Sequence, residues 1–209
     1  MPDAAGAIVR APGIRAKHAA SVIVLRMENN EPHMLMGMRH ARHRFMPNRL
    51  VFPGGRVDPD DMKAPLATGL MPRAEAALLK NASPRLVHGL VAAAARELQE
   101  ETGLSLGTPP RVDALDYIAR AVTPPGSPIR FNARFFVVGA EHVSGTQAGD
   151  GELEGLRFYD MTEALAQDLA TPTRKVLERL TWWLSISEAE RNSQTHLPVL
   201  LRDRGWRME

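Results

Sequence analysis

The first apolar stretch, Ser21-Val-Ile-Val-Leu-Arg-Met27, is too short for a helix of ordinary length and reads as a buried strand. Asn29-Asn30-Glu31-Pro32 follows with turn chemistry, and Met34, Met36 and Met38 then alternate with other residues as one face of a second strand. Val22–Leu25 and Met34–Met38 therefore predict a hairpin. Leu50-Val51-Phe52 predicts a short strand stopped by Pro53-Gly54-Gly55. From Val57 to about Ser83 the pattern fades into Pro, Asp, Ala and Met, with weak helical spacing around Pro72–Leu79, as in an insertion between two elements that belong together. A strong helix begins at Ser83-Pro84, a cap followed by proline in the first turn, and carries Leu86, Leu90, Val91, Ala94 and Leu98 at helical spacing until Gly103 stops it. Tyr117–Val122 and Phe131–Gly139 read as strands divided by Thr123-Pro-Pro-Gly-Ser-Pro128, and Leu153–Tyr159 as another. Two helices close the pattern, roughly Thr162–Leu169 and Thr173–Ile186, the second bearing Trp182 and Trp183. Strands with one central helix and more helix at the end argue for an α+β domain with its sheet in the middle.

Composition narrows the chemistry. The 209 residues suit one domain with some decoration, and 44% hydrophobic with 24% charged residues is the balance of a folded globular chain. No apolar run approaches the roughly 20 residues that span a bilayer, so no membrane is expected. The opening residues lack a signal-peptide core and read as a loose arm, which leaves a cytoplasmic location as the default. Cysteine is absent, so disulfides, thiolate metal sites and a cysteine nucleophile are excluded together, and any metal must take oxygen or imidazole ligands. A net charge of +2, with no block of like charges, gives no track for a nucleic-acid polymer. The local cluster Arg39, Arg42, His43 and Arg44 fits an anionic small molecule better.

The segment with the sharpest chemistry is Arg96-Glu-Leu-Gln-Glu-Glu-Thr-Gly-Leu104. On a helix Glu97, Glu100 and Glu101 stand at i, i+3 and i+4, so three carboxylates crowd one face, at about 0.2–0.5 kcal/mol of repulsion per pair in an isolated helix. A divalent cation reverses the sign of that interaction, and hard ions such as Mg2+ prefer carboxylate oxygen. The same run also occurs on solvated helix faces. What tilts the reading is Gly103 closing the helix directly after the cluster, and Gly54-Gly55 upstream at a strand end, where backbone can approach an anion closely.

These residues resemble the signature of the Nudix hydrolase family: Gly, five residues, Glu, seven residues, then Arg-Glu-hydrophobic-any-Glu-Glu-any-Gly-hydrophobic. Arg96, Glu97, Leu98, Glu100, Glu101, Gly103 and Leu104 meet the second half without exception, and Phe52-Pro-Gly-Gly55 looks like the usual approach to the first. The first half departs. Counting back from Arg96 puts His88 in the remaining glutamate position, whereas counting forward from Gly55 puts Asp61 there; the two positions lie 27 residues apart, the length of the insertion. Such an insertion, with the flanking segments Arg39–Val57 and Thr123–Val138, resembles the group that includes peroxisomal-type coenzyme A diphosphatases. The resemblance implies an α/β/α sandwich with a central mixed sheet, a catalytic loop-helix and C-terminal helices. It divides the chain into an arm (1–17), a domain (18–188, with the insertion at about 58–83) and a C-terminal tail (189–209).

The resemblance further implies hydrolysis of a pyrophosphate bond in a nucleoside-diphosphate-linked small molecule with Mg2+ or Mn2+. Coenzyme A or an acyl-CoA is the first candidate; nucleotide sugars and ADP-ribose are alternatives, as is a regulator of this fold that binds a nucleotide without cleaving it. Glu97, Glu100, Glu101 and the Gly55 carbonyl are the implied metal ligands, and Arg96 the residue that orients the glutamates. Glu152 is chosen over Glu154 and Asp150 as the further carboxylate, a ligand or base. Gly54, Gly55, Arg39 and Arg44 are the expected substrate contacts. Trp182 and Trp183 fit internal packing or a homodimer surface.

Overall fold

In this computed structural model the described residues are 14–40, 47–148, 151–194, 198–201 and 206–208. Arg44 and Asp150 lie outside them. Strands β1 (Lys17–Glu28) and β2 (Glu31–Arg39) form the expected hairpin, turning through Asn29 and Asn30 at φ of 51° and 65°. Asparagine adopts this left-handed region more readily than most residues. The two strands stay paired only from Leu25–Glu28 to Glu31–Met34. Beyond that, β3 (Leu50–Val51) pairs with β2, and β4 (Gly54–Arg56) pairs with β1, so the glycine turn is wedged into the open hairpin. Pro53 has no N–H to lose there, and its carbonyl accepts from the Val22 N–H at 2.9 Å.

A 3-10 turn (Asp60–Lys63) and helix α1 (Pro72–Leu79) occupy the insertion, followed by α2 (Pro84–Thr102). Ser83 caps α2 by accepting from the Leu86 N–H at 3.3 Å, and Gly103 ends it in the left-handed conformation at φ 73°. The insertion is packed against α2: Ala74 and Leu78 enter the core, and Met62 lies so close to Gly89 that a Cβ there would collide with its sulfur. Next come β5 (Leu104–Ser105), β6 (Asp116–Val122), β7 (Phe131–Gly139), β8 (Ser144–Gly145), β9 (Leu153–Asp160), α3 (Met161–Ala166), α4 (Thr171–Ser185), α5 (Glu188–Ser193), β10 (Pro198–Leu201) and β11 (Trp206–Met208).

The main sheet runs β11-β10-β6-β7-β1-β2-β3, with β4 on β1 and β9 on β2; β1/β7 and β6/β10 are parallel and its other pairs antiparallel. It is the expected mixed sheet, and the period-two alternation of its strands sorts two cores. Val22, Val24, Phe136 and Val138 face α1 and α2, where the run Ala92–Ala95 lets the helix sit close. Ile23, Met34, Met36, Phe135 and Val137 face α4, meeting Val176, Leu177 and Leu180. Each fully buried Val, Leu or Phe contributes about 1.5–3 kcal/mol, so α2 is held by packing despite the carboxylates at its end. Two local expectations shift. The helix expected at Thr162–Leu169 stops at Ala166, which frees Leu169 to bury itself in the connection, and the next begins at Thr171 with Pro172 in its first turn. The C-terminal tail contributes most of α5 and two strands that extend the sheet, β10 pairing with β6 and β11 with β10.

Candidate active site

The glycine wedge and the last two turns of α2 meet. Glu101 is buried, and one carboxylate oxygen, Oε2, accepts from the Gly54 N–H at 2.7 Å; the other, Oε1, is buried with no hydrogen-bond partner among the described residues. Burial is the largest influence on this carboxyl and raises its pKa to about 8, against the lowering effect of the Gly54 hydrogen bond and the Arg39 charge. A Cβ added at Gly55 would overlap the Glu97 carboxylate, and one at Gly54 (φ 153°) would collide with Ala20 and Ser21. Gly54 therefore requires glycine, whereas a side chain at Gly55 would push the Glu97 carboxylate from its place. Glu97 is also pushed up, chiefly by burial, with Arg96 opposing and Glu100 and Glu152 adding repulsion.

Arg96 ties the cluster together. Its Nε and Nη2 donate to the two oxygens of Asp61 at 2.9 and 3.0 Å, a bidentate pair. Its Nη1 donates to Glu97 at 2.9 Å and Glu100 at 2.8 Å, and Nη2 also reaches the Arg56 carbonyl at 3.0 Å. Asp61 is buried and accepts from the Asp58 N–H at 2.7 Å, so the insertion supplies the carboxylate that holds Arg96. His88 sits elsewhere, with Nε2 2.8 Å from the Ala64 carbonyl. Of the two rival positions, Asp61 is the one that enters the site. The forward count from Gly55 ended on it; nothing local distinguished it from its neighbours Asp58 and Asp60.

The structure gathers Arg96, Glu97, Glu101, Gly54 and Gly55, leaves Glu100 at the rim with its side chain about half exposed, and brings Glu152 and Arg39 within electrostatic reach of Glu101. Arg39 closes β2 and its Nε is buried without a hydrogen bond among the described residues. Glu154 instead pairs with His40 at 3.2 Å. Trp183 packs against the α4 core with Arg191 stacked on its ring, and the more exposed Trp182 carries Arg179. Both are distant in the fold from the glutamates, at the other face of the sheet.

Residues 89–180 match the NUDIX domain model. Over that segment the chain is similar to the NUDIX domain. Solved structures agree on the fold. A NUDIX hydrolase from Alicyclobacillus acidocaldarius superimposes with a TM-score of 0.61 at 23% identity, over 78% of this chain and 90% of that one. A MutT NUDIX hydrolase from Burkholderia pseudomallei gives 0.52 at 17%, over 80% and 99%. The NUDIX domain of Shewanella oneidensis NrtR, solved with ADP ribose, gives 0.51 at 12%, over 82% and 90%. Comparison with curated proteins finds no match to this sequence. The Nudix match begins inside α2, beyond the glycine wedge and the insertion, which is where the signature is split.

Nudix hydrolases use divalent cations, and the site's chemistry suits one. It offers only hard oxygen donors, it collects more carboxylates than cations, and the Glu101 Oε1 is left over. Among the described residues no three acidic or imidazole groups converge as they would around an ion, and Arg96 engages Glu97 and Glu100. An ion would compete with that guanidinium.

Proposed function

We propose that this Nudix domain hydrolyses a phosphoric anhydride in a nucleoside-diphosphate-linked small molecule. The observation that carries this reading is Glu101: a buried carboxylate, seated by the Gly54 N–H, with one oxygen unclaimed among the described residues. Glu97, Glu100, Glu101 and the Gly55 carbonyl would hold Mg2+ or Mn2+, which when bound neutralises phosphate oxygens and acidifies water. Arg96, locked by Asp61, keeps Glu97 and Glu100 on the side facing Gly55. Glu152 accepts the proton of the attacking water, since its charge is felt by both Glu97 and Glu101. Arg39 and Arg44 bind phosphate oxygens by charge-assisted hydrogen bonds. Two phosphorylated products leave.

Coenzyme A or an acyl-CoA remains our first substrate, on the strength of the insertion and of the segments around the glycine wedge. The chain acts as a cytoplasmic enzyme in this reading. The test is a Mg2+-dependent panel of coenzyme A, ADP-ribose, a nucleotide sugar and a dinucleoside polyphosphate, with product analysis in 18O-water. Release of 4′-phosphopantetheine from coenzyme A supports the first substrate; turnover of ADP-ribose instead retains the hydrolase reading and removes coenzyme A. Tight binding across the panel without cleavage would contradict hydrolysis.

A further inference from the structure

The inserted turn Asp60–Lys63 lies along α2 and runs against its direction. Toward the start of the helix, His88 Nε2 donates to the Ala64 carbonyl at 2.8 Å. Beside it the Met62 sulfur rests on Gly89, where a Cβ would come within 2.5 Å of it. About two helical turns further on, Asp61 meets Arg96. Asp61 is buried, and its Oδ2 also accepts from the Asp58 N–H at 2.7 Å, so the turn fixes where this carboxylate stands.

A guanidinium carries five N–H donors, and Arg96 uses all of them. Three point toward the insertion and the glycine wedge: Nε to Asp61 Oδ1 at 2.9 Å, and Nη2 to Asp61 Oδ2 and the Arg56 carbonyl, both at 3.0 Å. The two on Nη1 go to Glu97 Oε1 at 2.9 Å and Glu100 Oε2 at 2.8 Å. Only this second set of acceptors belongs to the implied metal ligands. When Glu97 and Glu100 turn to a divalent ion, Arg96 gives up two acceptors. With the turn seated it keeps the other three, and the two bonds to Asp61 are charge-assisted and bidentate. With the turn lifted, it is left with the Arg56 carbonyl and the same glutamates that the ion needs. Its charge is then unmatched as well, and it repels an arriving cation.

We propose that seating of the inserted turn and metal binding at the glutamates are one linked equilibrium, carried by the Arg96 guanidinium. The seated turn favours the ion because it holds Arg96 through acceptors that the ion does not use. By thermodynamic reciprocity, the bound ion favours the seated turn to the same degree. The insertion thereby regulates metal occupancy: a contact that lifts it from α2 empties the site without touching a glutamate. The linkage rests on the reading of Glu97 and Glu100 as metal ligands, and it needs no particular substrate.

The test uses Mn2+ alone, so cleavage does not enter it. Electron paramagnetic resonance titrations compare wild type, Asp61→Asn, Arg96→Met and the double variant, with circular dichroism confirming each fold. We expect Asp61→Asn to weaken Mn2+ binding at least about tenfold, because the released guanidinium keeps its hold on the glutamates. In the Arg96→Met background the same change should weaken it less than about twofold. Equal loss in both backgrounds shows that Asp61 acts on the ion directly, and overturns the linkage. Unchanged affinity in Asp61→Asn overturns it too.

A measurement on wild type covers a variant that fails to fold. Hydrogen exchange of the Asp58 N–H, which closes onto Asp61, should slow as Mn2+ saturates the site. Exchange that stays the same or quickens contradicts the linkage and leaves the metal ligands standing. If wild type binds no Mn2+ at all, the ligands are misassigned and the linkage falls with them.

Discussion

Strand β4 separates two corners of opposite character. On the Gly55 side, Glu97, Glu100, Glu101, Glu152 and Asp61 gather around Arg96 and Arg39; on the Arg56 side, Arg15, Lys17, His18 and Arg56 line a groove with Asp58, and the buried Arg134 donates to His18. Burial works against the charge in both, raising the Glu101 carboxyl to about 8 and lowering the His18 imidazole. Gathering buried carboxylates costs folding free energy, which a bound cation would return.

The largest effect that can break this comparison is expected from Glu101→Gln. Turnover should fall by about 100-fold or more, measured under saturating Mg2+ with circular dichroism confirming the fold. The same change should stabilise the metal-free protein. Below the ordinary carboxylate range both folded and unfolded chains carry the proton; as pH rises toward about 8 the unfolded chain releases it and the folded chain keeps it. Stability from this group is therefore lost across that window, on the order of a few kcal/mol. Denaturant midpoints of wild type and variant in EDTA should diverge with rising pH, the variant above.

Asp61→Asn comes next. It removes the bidentate partner of Arg96, which is partly exposed, so roughly 1–3 kcal/mol of stability should be lost, with a fall in kcat larger than the rise in KM. His88→Ala should cost about 1 kcal/mol through its bond to the Ala64 carbonyl and leave kcat unchanged; a loss of turnover comparable to that of Asp61→Asn would restore His88 as a site residue. Glu100→Gln is the smallest. Its carboxylate is the most exposed partner of Arg96, worth less than about 1 kcal/mol, and its activity should stay well above that of Glu101→Gln.

The helix half of the site was legible because its information is local: i, i+3, i+4 spacing fixes three carboxylates on one face and Gly103 marks the end. The hairpin and the central helix followed from periods of two and of about 3.6 residues, and the mixed character of the sheet from the family resemblance. The choice between Asp61 and His88 did not, because it depends on how the insertion folds back. The hydrogen bond from Gly54 to Glu101 joins residues 47 apart in the chain. The groove beside Arg56 joins Arg15, Lys17 and His18 to Asp58 and Met62, residues that form no motif with their neighbours. Strands β10 and β11 owe their identity to the edge of β6 rather than to their own pattern.

The most direct test of the central claim is Mn2+ affinity across pH, by calorimetry or electron paramagnetic resonance, in wild type and Glu101→Gln. Because the ion must displace a proton held up to about pH 8, wild-type affinity should climb with pH and level off near that value, while the variant should bind weakly with little climb. Equal affinity and equal pH dependence in the two proteins would contradict the assignment of Glu101 as the centre of the site.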